Sequence, residues 1–135
     1  MSFVEVPHTA DVKIRATAPT LETLFSEALG ALMQVLYGPD RNGGEKREIH
    51  LEAEDNESLL RDFLSEVLFI TEVDGLVFSG ADIHIEGGRL VATLDGEAFD
   101  RRRHAMGTEV KGISYSGLAI TRDANGYMLD IVFDV

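Results

Sequence analysis

The stretch Asp11–Pro39, DVKIRATAPTLETLFSEALGALMQVLYGP, changes its hydrophobic period in the middle. Over DVKIRATA, Val12, Ile14 and Ala16 fall on one side and Asp11, Lys13, Arg15 and Thr17 on the other, the two-residue period of a half-buried strand. From Thr20 the period lengthens. Leu21, Leu24, Phe25, Ala28, Leu32, Val35 and Leu36 recur at the spacing of an amphipathic helix. Thr20 is placed to cap that helix, Glu22 lies in its first turn where the helix dipole favours a carboxylate, and Gly38-Pro39 stops it. A strand followed at once by a helix opens a sheet-and-helix layer.

The pattern repeats once and then changes. REIHLEAE alternates, with Ile49, Leu51 and Ala53 inward, and the turn RNGGE before it reads as flexible. DNESLLRDFLSEVLFITEVDG carries a second apolar stripe, Leu59, Leu60, Phe63, Leu64, Val67 and Leu68, closed by Gly75. The remainder is strand-rich. ADIHIEGGRLVATLDG predicts a hairpin turning at Gly87-Gly88, and TEVKGISYSGLAITRDANGYMLDIVFDV a second turning at Asn125-Gly126. Between them EAFDRRRHAMG lacks a period and is expected to be an ordered loop. Strands and helices alternate early and strands run together late, with no linker. The expected fold is α+β: a compact two-layer single domain over residues 1–135, with a mixed β-sheet and two amphipathic helices packed on one face.

Composition narrows the function. The chain has 135 residues, 44% of them apolar, enough for one buried core and too apolar for a disordered chain. No apolar run reaches the ~20 residues of a membrane span, and the start MSFVEVPHTA lacks the charged and apolar regions of a secretory signal. With no cysteine, thiolate metal sites, disulfides and cysteine nucleophiles are excluded, which fits a cytoplasmic protein. A formal charge of −12 disfavours a general nucleic-acid binder. Acids concentrate between Glu45 and Asp74, whereas Arg101, Arg102, Arg103 and Lys111 form a local cationic region. A basic protein partner or a cation suits that balance.

The candidate site residues lie at the two ends of the chain. The C-terminal strand stays periodic to the last residue of the sequence, which puts Asp134 one residue from the α-carboxylate of Val135. Two anionic groups so close repel unless solvated or bridged, and an oxygen-only set suits a hard ion such as calcium or magnesium. A solvated aspartate at a frayed strand end explains Asp134 equally. Asp11, in HTADV, is equally a turn residue, and His8 a hydrogen-bonding group shaping that turn. His50 and His84 sit in strand patterns and read as surface residues. Lys111 shares parity with Ile113 and Tyr115, so it must snorkel or find a carboxylate. Arg101, Arg102, Arg103 and His104 are either a solvated loop or an anchor for phosphate or for an acidic patch on a partner. GPDRNGGEK lacks the glycine–lysine–hydroxyl order of a phosphate loop.

Taken together, these pieces resemble the archease family. The resemblance is carried by HTADV (His8–Val12), PTLETLFSEA, LLRDFLSEVLF, GEAFDRRRH (Gly96–His104), TEVKGISYSG (Thr108–Gly117) and the terminal VFDV, in this order along the whole chain. It implies a non-enzymatic activator of the RtcB-type tRNA-splicing ligase. Such a protein promotes guanylylation of the ligase's histidine and repeated turnover in tRNA splicing, with tRNA met only indirectly and no membrane involved. It also implies a metal site at Asp11, Asp134 and the main chain of Val135, with calcium as the divalent cation, and a functional role for Lys111. The chain departs from the family pattern at Ser116, where many relatives carry histidine, at Gly112, where they carry alanine, and at Arg101–Arg103. Two other classes remain on the residues alone. A metal-dependent hydrolase would use the same carboxylates but lacks a general base, and a generic chaperone or scaffold would be indifferent to them.

Overall fold

The structure, a computed structural model, describes residues 2–6 and 11–135. Ten elements follow in order: β1 (Ser2–Val6), β2 (Asp11–Ala18), α1 (Leu21–Tyr37), β3 (Glu45–Glu52), α2 (Asn56–Asp74), β4 (Leu76–Glu86), β5 (Arg89–Ala98), α3 (Arg101–His104), β6 (Gly112–Asp123) and β7 (Gly126–Asp134). The strand and the helix expected within Asp11–Pro39 are β2 and α1. Thr20 caps α1 as its residues predict. Its hydroxyl accepts from the Thr23 amide at 3.2 Å, and the Thr23 hydroxyl accepts from the Thr20 amide at 3.2 Å. Asp55 does the same work for α2, accepting from the Ser58 amide at 2.7 Å, and Gly75 ends that helix in the left-handed region at φ 65°.

The α+β class holds, but the single mixed sheet does not. The strands form two sheets, β1-β2-β7-β6 and β3-β5-β4, and every pairing is antiparallel. The reason lies in β2. Its whole length, Asp11 to Ala18, pairs with β7, and its other edge is taken by β1. No edge is left for β3, which pairs with β5 instead. β1 is too short for its alternation to be read from the sequence.

The helices also depart from a one-face arrangement. Both α1 and α2 touch strands of both sheets. On α1 the buried residues Leu24, Phe25, Ala28, Leu29, Ala31, Leu32 and Met33 cover roughly 200° of the helix circumference at about 100° per residue. Only Gln34 of this helix is fully exposed. Leu29, Ala31 and Met33 therefore belong to the core although they lie off the stripe expected from one face. α2 keeps a wet side, with Arg61, Asp62, Ser65, Phe69, Glu72 and Val73 exposed.

Local details refine the turns. Gly87 and Gly88 both adopt positive φ (57° and 78°), as the β4–β5 hairpin requires. The β6–β7 turn falls one residue earlier than expected, on Ala124-Asn125, because the Asp123 carboxylate accepts the Asn125 amide at 2.7 Å. The RNGGE turn is pinned: Glu97 accepts the Asn42 amide and Asp95 the Gly44 amide, both at 2.8 Å. In β6 the register jumps between Ser114 and Ala119, so Tyr115 to Leu118 loop out opposite Ile131. Tyr115 leans onto α2, its hydroxyl 3.1 Å from the Ser58 hydroxyl and its ring beneath Arg61. No helix among the described residues is long and apolar enough to cross a membrane.

Phe63 is fully buried and packs on Phe25 with ring centroids 5.9 Å apart. Phe63→Ala should cost about 3–5 kcal/mol, read as a lower urea midpoint with little change in slope.

Candidate functional site

The β2–β7 register decides where the two ends of the chain meet. It sets Asp11 opposite Asp134, Lys13 opposite Val132 and Arg15 opposite Asp130. Directly opposed residues of an antiparallel pair share a face with Cβ atoms about 4.5–5.5 Å apart. At the Arg15–Asp130 rung this produces a two-point ion pair, Nε to Oδ1 at 2.8 Å and Nη2 to Oδ2 at 3.3 Å. Four rungs away the same face carries two carboxylates, Asp11 and Asp134, with no opposite charge in the rung.

The third strand completes this corner. Gly112, the first residue of β6, is the partner of Asp134 on the other side, and the Lys111 amide donates to the Asp134 carbonyl at 2.7 Å. A Cβ at Gly112 would lie 3.7 Å from Asp134 Oδ2, ordinary contact, so glycine leaves that carboxylate open on this flank. Val135 follows directly and is 36% exposed. The Lys111 side chain is exposed and pairs with no carboxylate among the described residues. It neither lies in the core nor finds a partner, while Ile113 beyond it is buried. The corner thus brings together Asp11, Lys111, Gly112, Asp134 and Val135. His8 lies outside the described residues. Among the described residues no group of three or more His, Asp or Glu side chains could hold a metal; this corner offers two carboxylates and main-chain oxygens.

The arginine loop divides into two roles. Asp100 caps α3, a single helical turn where an ordered loop was expected, by accepting the Arg102 amide at 2.9 Å. Arg103 turns inward and pairs with Glu97, with Asp40 at 3.3 Å and with Asp100 at 3.6 Å. His104 is buried at 1% exposure, so it is no surface contact for a partner. Its Nδ1 accepts the Asp100 amide at 2.8 Å, which places the ring proton on Nε2, 3.2 Å from Glu97 Oε2. Phe99 stacks near both Tyr37 and His104, with centroids 5.9 and 5.8 Å away. Arg101 and Arg102 stay exposed. Glu97 is the residue that organises this cluster. The only sign of it in the sequence is its place in GEAFDRRRH, ahead of residues with which it shares no period. His50 and His84 are exposed, beside Glu48 and Asp82.

Two antiparallel sheets and two long helices, with an acidic rung at one sheet end, define a small α+β domain. The profile of the archease protein family (MTH1598/TM1083) matches residues 3–135, and the chain belongs to that family. It is 37% identical over 134 residues to the protein archease of Methanosarcina barkeri, covering 95% of this chain and 92% of that one. Its fold resembles the solution structure of Methanobacterium thermoautotrophicum protein 1598, with TM-score 0.86, 26% identity and 98% of each chain covered. It also resembles a Thermotoga maritima archease described as a possible chaperone, with TM-score 0.67, 23% identity, and 96% of this chain and 94% of that one covered.

The Arg103 hydrogen bond, helped by the Asn42 amide and His104 and opposed by partial burial, lowers the Glu97 carboxyl from 4.5 to about 2. Between these values the unfolded chain binds more protons than the folded one. The stability from Glu97 is therefore complete above pH 4.5 and lost as pH falls toward 2. Urea melts at stepped pH should show a steeper acid loss for wild type than for Glu97→Gln in that window. Equal slopes would mean that Glu97 is not held ionised by its neighbours.

Proposed function

We propose that this protein is a non-enzymatic activator of an RtcB-type tRNA-splicing ligase in the cytoplasm. It would promote guanylylation of the ligase histidine and so sustain multiple turnover in tRNA splicing. Membership of the archease family supports the reading, as does the description of the Thermotoga relative as a possible chaperone. The observation that carries it is the like-charged rung. Opposed carboxylates destabilise a sheet, and the same face four rungs away shows the favourable alternative, Arg15 against Asp130. A sheet end that holds Asp11 against Asp134 is organised for something that binds negative oxygen.

A divalent cation would fit this corner: an all-oxygen set suits a hard ion such as calcium or magnesium, and the family resemblance favours calcium. Asp11, Asp134 and the main chain of Val135 would hold it. When bound, the ion supplies positive charge for oxygen ligands. Calcium takes 6–8 oxygens, and two carboxylates with a main-chain oxygen leave positions for water or for groups of the ligase. The protein's own contribution is placement. Lys111 ties the end of β7 through its amide, and its exposed side chain forms no ion pair among the described residues. An activator accelerates a step only by favouring the ligase state in which metal, nucleotide and histidine are aligned. tRNA is involved only through the ligase.

The test is a guanylylation time course with the cognate ligase at defined calcium. Asp11→Ala and Asp134→Ala should each reduce stimulation at least tenfold while keeping a native circular dichroism spectrum. Lys111→Ala should reduce it as well. Asp130→Ala, which breaks the Arg15 pair on the same face, should stimulate normally. Full stimulation by Asp11→Ala would sink the proposal.

A further inference from the structure

The arginine loop holds more than its internal ion pairs need. We propose that residues 99–106 form a rigid platform for an acidic, partly apolar surface on the protein partner. Arg101 and Arg102 would be its charged contacts, and Phe99 and Met106 its apolar ones. The inference rests on the activator reading above and names the chemistry of the docking surface beside the carboxylate corner.

Rigidity comes first. The loop is tied at both ends and in the middle. The Phe99 amide donates to the Gly75 carbonyl at 2.8 Å, and the Thr108 amide to the Val35 carbonyl at 2.7 Å. Between them Arg103 and His104 are held by Glu97, Asp40 and Asp100. Gly107 packs so closely on the end of α1 that a Cβ there would fall 1.9 Å from the Leu36 carbonyl oxygen. A segment held this firmly presents its outward side chains with little entropy left to lose on binding.

What it presents is the second point. Met106 is 82% exposed and Phe99 47%. Arg101 and Arg102 are exposed and form no ion pair with the described residues, in a chain of net charge −12. The nearby carboxylates are already occupied by Arg103, so the two outer guanidinium groups stay available. Aromatic residues, methionine and arginine are the types enriched where proteins meet.

Location and charge select the occupant. Met106 is five residues from Lys111, a span of at most about 18 Å, and the Lys111 amide is bonded to Asp134. A protein engaging the corner is therefore within reach of the platform. RNA is the poorer fit, because two arginines flanked by Asp40, Glu97 and Asp100 on an acidic chain cannot replace the counterions of a polyphosphate. A carboxylate-bearing protein surface matches both the charge and the apolar pair.

Binding of the cognate ligase, measured by calorimetry across a salt series, tests this. The double variant Arg101→Glu/Arg102→Glu should bind at least tenfold more weakly than wild type and lose most of the salt dependence. Met106→Ser should weaken binding severalfold with its salt dependence intact. All these side chains are exposed, so thermal midpoints should match wild type. Unchanged ligase affinity in the charge-reversed variant would overturn the platform alone. So would a loss seen only with tRNA exon halves as the probe, which would make the surface an RNA contact. Wild-type protein that binds no ligase would overturn both the platform and the activator reading.

Discussion

The pairing of β2 with β7 over eight consecutive rungs, from Asp11–Asp134 to Ala18–Tyr127, is the constraint on which the rest depends. It joins the beginning and the end of the chain into adjacent central strands. It buries Ile14, Ala16, Leu129, Ile131 and Phe133 on one face and leaves charged residues on the other. A slip of one residue would reverse both faces at once, burying the aspartates and exposing the core. Core burial and the acidic rung are thus fixed by one register, and the site cannot be lost by slippage without losing the fold. The same pairing occupies β2 on one side while β1 occupies it on the other. That exclusion sends β3 to a second sheet and gives the helices two surfaces to cover.

Much of this was legible in the residues, for a physical reason. Amphipathic periods and caps are local, so β2, α1, α2 and the Gly87-Gly88 turn could be read directly from neighbours a few positions apart. The partition into two sheets was not legible, because it depends on which strands fill both edges of β2, and alternation says nothing about partners. The stripe on α1 was read too narrowly for a related reason. Leu29, Ala31 and Met33 lie on a side that a one-sheet layer would leave wet, and only the second sheet makes that side interior. The acidic rung stood between these cases. Asp11 and Asp134 could be singled out, yet only the register made them neighbours. Family resemblance joined them where spacing could not.

The arginine loop shows how charge in a sequence misleads when treated as a block. Three consecutive arginines and a histidine look like one cationic patch. Folding separates them: half-buried Arg103 and buried His104 become partners of Glu97, and Arg101 and Arg102 stay exposed. Glu97 sits on β5, where its parity gives no hint that it will hold the Asn42 turn, Arg103 and His104 together. Such a hub is invisible to periodicity because its contacts come from three separate segments.

The looped-out run in β6 has a consequence for motion. Only the rungs at Gly112, Ile113 and Ser114 join the start of this strand to β7 before the register breaks at Tyr115. Past the break the pairing is an independent ladder running to the Asp123–Gly126 turn. The first three rungs can therefore part without unzipping the hairpin, at the free-energy cost of a short segment rather than of the whole domain. The strand flank beside Asp134 is in this sense a small door with its own hinge, set in a wall that stays shut.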